Sequence, residues 1–172
     1  SFNVDGHFTT SVSSSLLQGE NVLGYLEGSD LKGELLVVTA HYDHIGIHDG
    51  EIHNGADDDG SGTVAILELA EAFAQAKVDG KGPRRSILFM PVAGEEMGLL
   101  GSSFYTENPV FPLENTIADL NIDMIGRMDE THEGNPNYIY LIGADKLSSE
   151  LHQISEDANT YYTQLELDYT FN

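Results

Sequence analysis

The sequence of 172 residues predicts an α/β fold with a mixed, largely parallel sheet covered by helices on both faces. Three observations support this prediction. Several apolar segments run almost without interruption, which is typical of strands buried on both faces. Helical patterns separate these segments along the chain. Three of the apolar segments also end in acidic or imidazole side chains. Because ligands of such sheets bind beyond the carboxyl ends of the strands, we expect the functional site there.

The predicted elements alternate along the chain. The first is a strand at 21–28 that ends in a turn, followed by a long apolar strand at 34–44. A helix at 61–77 has only a narrow polar stripe, so we expect it to be mostly buried. The remaining predicted elements are, in order, a strand at 86–96, a short helix near 99–107, strands at 117–126 and 138–144, a helix around 146–159 and a strand at 164–171.

Charge and composition exclude several classes of function. The chain has 29 Asp and Glu against 7 Lys and Arg, a formal net charge of -22, and it contains no cysteine. Phosphate backbones and anionic membrane surfaces would repel such a chain, so we expect neither nucleic acid nor a membrane as a partner. Disulfides and thiolate metal ligands are excluded. The sequence opens without an initiator Met, as a processed chain does, and we expect a secreted or periplasmic protein.

Acidic side chains and one imidazole gather at the predicted carboxyl edge of the sheet. Each of them alone could be a helix cap, a turn residue or a structural histidine, but their common placement favours a site. So many carboxylates cannot all stay ionised in a partly dry cleft unless cations neutralise them or several take up protons. Nitrogen and oxygen ligands without sulfur suit Zn, Mn or Co, and one carboxylate can bridge two ions. The residues are His41 and Asp43, Glu95 and Glu96, Asp123, and the three adjacent aspartates 57–59.

Four short motifs carry a family resemblance. In order and spacing they resemble the motifs of the di-zinc aminopeptidases of the M28 metallopeptidase family. The resemblance implies a zinc-exopeptidase-like fold and hydrolysis of the peptide bond next to a free N-terminus, with peptides and protein N-termini as substrates. It extends from about Asn21 to Arg127. The motifs are HYDHIG (41–46), NGADDDGSGT (54–63), AGEEMGLLGS (93–102) and NIDMIG (121–126).

The resemblance also implies a set of zinc ligands. His41 and Asp123 resemble ligands of one zinc ion, and Glu96 resembles the terminal ligand of the other. Asp58, the middle aspartate of the three, resembles the carboxylate that bridges both ions. The resemblance further implies a cis peptide bond between Asp58 and Asp59.

Two other acids resemble catalytic residues of the family. Glu95 resembles the general base, which takes a proton from a metal-bridging water and passes it to the leaving amine. Asp43 resembles the carboxylate that orients His41 by accepting from its second ring nitrogen.

The sequence departs from the family pattern at one point. The family completes the Glu96 zinc site with a late histidine, usually in a Ser-Asp-His segment. No histidine follows His152, which lies in a predicted helix without that context. We therefore expect residues 1–172 to form a single, truncated catalytic domain that lacks its C-terminal part. Such a domain would hold the second zinc ion weakly and need not be active alone. The other imidazoles that could replace the late histidine are His44, His48, His53 and His132.

Three classes of function remain open. The first is a di-zinc aminopeptidase, or a carboxypeptidase-like or glutaminyl-cyclase-like relative. The second is a non-catalytic M28-like binding domain, and the third is a calcium-stabilised binding module, which the acidity alone would suit. Metal analysis discriminates among them: two zinc ions per full-length chain would support the first class, no metal the second, and calcium the third. An exposed sheet edge would also let a truncated domain form a homo-oligomer.

Overall fold

The computed structural model describes residues 18–172, so the first residues of the expected 1–172 domain lie outside the described part. In chain order the strands are β1 (Gly24–Leu26), β2 (Leu31–His41), β3 (Gly46–His48), β4 (Glu51–His53), β5 (Arg85–Val92), β6 (Thr116–Asn121), β7 (Tyr138–Tyr140) and β8 (Glu166–Asp168). The α-helices are α1 (Gly60–Val78), α2 (Leu100–Glu107), α3 (Ala144–Leu147) and α4 (Ser149–Ala158). Short 3-10 turns lie at Leu113–Asn115 and Glu130–His132, and a π-helical turn lies at Asn159–Thr163.

The main sheet has four strands in the order β1-β5-β2-β6. Strand β2 runs parallel to both β5 and β6, whereas β1 is antiparallel to β5. The sheet is thus mixed and largely parallel, which confirms the predicted fold class. Strands β3 and β4 form a separate antiparallel hairpin, and β7 pairs in parallel with β8.

The core lies on both faces of this sheet, because successive residues of a strand point to opposite sides. Helix α1 covers one face and α2 covers the other. The α1 face buries Val38, Ala40, Ile66, Ile87 and Phe89. The α2 face buries Leu35, Val37, Leu88, Met90, Val92 and Tyr105.

Three expectations for individual elements need correction, and one element of the fold was not predicted. Helix α1 is not mostly buried: Gly62 and Ile66 are buried, but Val64 is 57% and Leu67 59% exposed. The reason is that only one side of α1 contacts the sheet within residues 18–172. The predicted strand at 138–144 is shorter and pairs with β8 instead of joining the main sheet. The predicted helix around 146–159 is divided at Ser148, which has extended backbone angles and caps α4. The β3–β4 hairpin was not predicted.

The ends of the parallel strands position the site. In the sheet register His41 is the partner of Val92, and Thr39 is the partner of Asn121. The loops that follow β2, β5 and β6 therefore leave the sheet side by side at its carboxyl edge. Among residues 18–172, no helix combines the length and apolar character needed to cross a membrane.

Candidate metal centre

His41 lies at the centre of the candidate site. It is the last residue of β2, and its side chain is only 3% exposed. Its Nε2 atom lies 3.0 Å from Asp58 Oδ1, 3.8 Å from Asp123 Oδ1 and 3.9 Å from Glu95 Oε2. The imidazole nitrogen thus faces three carboxylates that come from three different loops.

Asp43 contacts the site in two ways. Its main-chain oxygen lies 3.1 Å from His41 Nδ1, at hydrogen-bond distance, while its Oδ1 is 3.7 Å from the same nitrogen. The Asp43 carboxylate accepts hydrogen bonds from the main-chain N–H groups of Glu95, at 3.1 Å, and Glu96, at 3.3 Å. The main chain of Asp43 therefore orients the His41 ring, and its side chain fixes the turn that carries the two glutamates.

Asp59 links three of the four motifs. It is 1% exposed and is the N-cap of α1. Its Oδ1 accepts from the N–H groups of Gly62, at 3.0 Å, and Met124, at 3.2 Å, and its Oδ2 accepts from His41 N at 3.2 Å. The bond between Asp58 and Asp59 is cis, as the family resemblance implies.

Asp57 holds the loop that carries Asp123. Its Oδ1 accepts from the Gly126 N–H at 2.6 Å and from the Ser61 hydroxyl at 3.2 Å. Its Oδ2 lies 3.0 Å from Arg127 Nε. The three adjacent aspartates thus have different surroundings. Asp57 and Asp59 accept hydrogen bonds from main-chain N–H groups, whereas Asp58 faces His41.

The possible ligand atoms form two neighbouring groups, of which the first consists of His41, Asp59 and Asp123. The second consists of His44, Asp58 and Glu96, and one ligand atom from each of these residues lies within 4.8 Å of the other two. In this second group His44 Nδ1 is 2.8 Å from Glu96 Oε1. The position of Asp58, beside His41 and within the second group, places it between the two.

The crowded acids have perturbed pKa values. Burial raises the pKa of Asp59 to about 6, although Met124 and Gly62 donate hydrogen bonds that favour its ionised form. Burial likewise raises the pKa values of Asp123 and Glu95 above the usual range of a carboxyl group. Burial alone would lower the pKa of His41, but the surrounding carboxylates, Asp123 foremost, outweigh that effect and raise it. The site therefore carries an excess of negative charge, which a cation would offset.

The donor atoms fit a zinc-type cation. They are imidazole nitrogens and carboxylate oxygens, which zinc binds at about 2.0–2.2 Å. His44 Nδ1 and Glu96 Oε1 are both buried, and neither has a hydrogen-bond partner within residues 18–172. Two buried polar atoms that face each other without a hydrogen bond are the arrangement expected of ligands directed at a shared ion.

A cavity of about 180 Å³ opens beside this cluster. Its lining includes His41, Glu95 and Asp123, together with the apolar side chains of Val92 and Leu99. A small side chain could therefore be held directly next to the candidate metal ligands.

Comparison with known proteins decides the family. The model of peptidase family M28 matches residues 21–172. The chain belongs to peptidase family M28. This M28 chain is 31% identical over 147 residues to Aminopeptidase YwaD of Bacillus subtilis (strain 168), covering 75% of the chain and 30% of that relative. It is 35% identical over 111 residues to Aminopeptidase NAALADL1 of Mus musculus, covering 63% of the chain and 14% of that relative.

A solved structure gives the same family relation. The zinc aminopeptidase BSAP from Bacillus subtilis matches with a TM-score of 0.66 and 28% sequence identity, covering 86% of the M28 chain and 33% of that structure. The chain thus spans a third or less of the length of the proteins it matches here.

The structure brings all six predicted site residues of the M28 chain together. His41, Asp43, Asp58, Glu95, Glu96 and Asp123 meet at one edge of the sheet. Sequence reasoning named His44 only as one of four imidazoles that could replace the late histidine beside Glu96, and it did not predict the three hydrogen bonds of Asp59. For His44 the only available signal was its place within the HYDHIG motif. For Asp59 the signal was its position just before a helix, which is typical of a cap.

Proposed function

We propose that this chain provides the metal-binding and catalytic residues of a zinc-dependent aminopeptidase. The observation that supports the proposal most strongly is the position of Asp58. Its Oδ1 lies 3.0 Å from His41 Nε2, and the same side chain belongs to the ligand group of His44 and Glu96. A carboxylate between two sets of ligands is what a site for two neighbouring cations requires.

Under this proposal the metal ligands are divided between two ions. His41 and Asp123 would hold one zinc ion, Glu96 would hold the other, and Asp58 would be shared between them. Zinc ions bound there would polarise the scissile carbonyl and acidify the attacking water. The buried His41 ring is kept in place by the Asp43 main-chain oxygen, so its Nε2 is directed into the site.

Glu95 is the residue that moves the proton. Its Oε2 lies 3.9 Å from His41 Nε2, on the same side of the ring as the other carboxylates. The Asp43 carboxylate fixes the main chain of Glu95 through a 3.1 Å hydrogen bond. Oε2 would accept a proton from the attacking water and then donate it to the leaving amine. Glu96, with its side chain beside His44, does not compete for this role.

The substrates we propose are peptides and proteins with a free N-terminus. A free α-amino group is positively charged near neutral pH, and the site and the whole chain, at -22, are strongly acidic. Attraction between them would favour binding of N-termini over blocked or internal segments. The cavity next to His41 offers room for the first side chain.

The test combines turnover with metal content. We expect Glu95→Gln to abolish hydrolysis of leucyl, alanyl and lysyl chromogenic amides while the zinc content stays unchanged. Glu71→Gln, which alters an exposed glutamate of α1, is the matched control and should retain both. The assay should be run on this chain and on a form extended towards the length of its relatives. Loss of zinc from Glu95→Gln would show that Glu95 is a ligand and would overturn the assignment.

The same measurements separate the alternatives. An extended form that holds zinc but cleaves none of the amides would favour a non-catalytic binding domain or a glutaminyl-cyclase-like relative. A chain that binds calcium and no zinc would favour the calcium-stabilised module. The secreted or periplasmic location and the homo-oligomer through a sheet edge stay predictions.

A further inference from the structure

The main chain that follows Asp123 is held by side chains of residues 57–61. Three consecutive N–H groups of this main chain donate hydrogen bonds to three of those side chains, at 2.6–3.2 Å. These bonds tie the loop that carries Asp123 to the segment that contains Asp58, so the two proposed ligands share one support. The bonded pairs are Met124 with Asp59, Ile125 with Ser61 and Gly126 with Asp57.

Asp123 is also fixed on its other side. The N–H group of Ile122 donates to the main-chain oxygen of Thr39 at 2.8 Å, which continues the pairing of β6 with β2. Met124 has a φ of +53°, a left-handed conformation that a residue other than glycine keeps only where its surroundings hold it. Asp123 therefore lies between two anchored stretches of main chain.

The contact between Gly126 and the aspartates is tight. A Cβ atom at Gly126 would lie 2.7 Å from Asp57 Oδ1 and 3.1 Å from Ser61 Cβ. The Ser61 hydroxyl donates to the main-chain oxygen of Asp57 at 2.7 Å, which holds these two residues together. The Asp57 side chain is 15% exposed, whereas Asp59 is 1% exposed and also caps α1. Loss of Asp57 should therefore affect the loop after Asp123 more than the rest of the fold.

We propose that Asp57 and Ser61 are positioning residues for Asp123 and thereby set the affinity for the zinc ion that His41 and Asp123 would hold. Metal–ligand distances vary by only about 0.2 Å. A loop released from Asp57 and Ser61 would carry the Asp123 carboxylate out of reach of an ion held by His41 and Asp58. This inference rests on the proposed function, because it requires that the site binds zinc.

Zinc titration of the metal-free chain, followed through the 15N signal of the His41 ring, tests this role. We expect Asp57→Ala to weaken binding of this ion by about 10–100-fold, the range for residues that orient a metal ligand. Asp57→Asn is the matched control, since it removes the same charge but keeps an oxygen that can accept from the Gly126 N–H group. It should restore most of the affinity, because the Arg127 side chain is 72% exposed and can turn away from the new amide. Equal losses in the two variants would show that charge and not position is responsible, and would overturn the proposal.

A measurement on the native chain avoids dependence on the folding of a variant. We expect the amide protons of Met124, Ile125 and Gly126 to exchange slowly with solvent in the metal-free chain, because their acceptors belong to the protein. Rapid exchange of all three before zinc is added, or native zinc affinity of Asp57→Ala, would overturn the positioning role while the zinc aminopeptidase proposal stands. A native chain that binds no zinc would overturn both.

Discussion

Replacing Asp59 by alanine should destabilise the chain through the loss of one side chain that joins three motifs. In the native structure its buried carboxylate accepts from three main-chain N–H groups at 3.0–3.2 Å. Alanine would leave these donors buried without an acceptor, which costs about 1–3 kcal/mol each, or roughly 6 kcal/mol in all.

Part of this cost is recovered, because the native carboxylate is itself in an unfavourable environment. Burial raises the pKa of Asp59 from 3.8 to about 6. At neutral pH this shift means that the ionised Asp59 lowers the free energy of unfolding by about 3 kcal/mol. The net loss expected for Asp59→Ala is therefore about 3 kcal/mol in the free energy of unfolding.

Urea denaturation in the presence of a metal chelator measures this effect without a contribution from bound ions. With a slope of about 2 kcal/mol per molar urea, the midpoint should fall by roughly 1.5 M. Asp79→Ala, which removes an exposed aspartate at the other end of α1, should change the free energy of unfolding by less than about 0.5 kcal/mol. Equal midpoints for the two variants would refute the role given to Asp59.

Two further predictions concern a close approach and a surface ion pair. A Cβ atom at Gly62 would lie 2.4 Å from a main-chain oxygen, so Gly62→Ala should cost about 1–3 kcal/mol, measured by the same denaturation. Gly33→Ala, where nothing lies within 4 Å, should be near neutral, and equal losses would contradict the steric argument. The hydrogen-bonded Arg84 guanidinium lowers the pKa of Asp30 to about 2, so this pair adds stability above the usual carboxyl pKa and loses it as pH falls through about 2. Arg84→Met should return the pKa of Asp30 towards 3.8 in an NMR titration, and an unchanged pKa would contradict this cause.

The positions of the main strands and of the two helices that cover the sheet could be predicted because their hydrophobic patterns are strong. The apolar segments at 34–44 and 86–96 correspond to β2 and β5, and the helix at 61–77 to α1. The exposure of α1 was predicted wrongly, since an apolar surface in the sequence does not specify which elements cover it. The weak segments after residue 127 were the least predictable, because short strands such as β7 depend on their pairing partner more than on their own sequence.

The sequence by itself determined the family and which residues are brought to the carboxyl edge of the sheet. The four motifs follow strand ends or begin a helix, and parallel strands must end at the same edge, so His41, Glu95, Glu96 and Asp123 meet there. Only the tertiary structure decided how each side chain is used. That His44 faces Glu96, and that Asp59 joins three motifs while Asp58 faces His41, depends on the direction of the main chain in the loops. No periodic pattern encodes those directions, because they are set by contacts between segments that are distant in the chain.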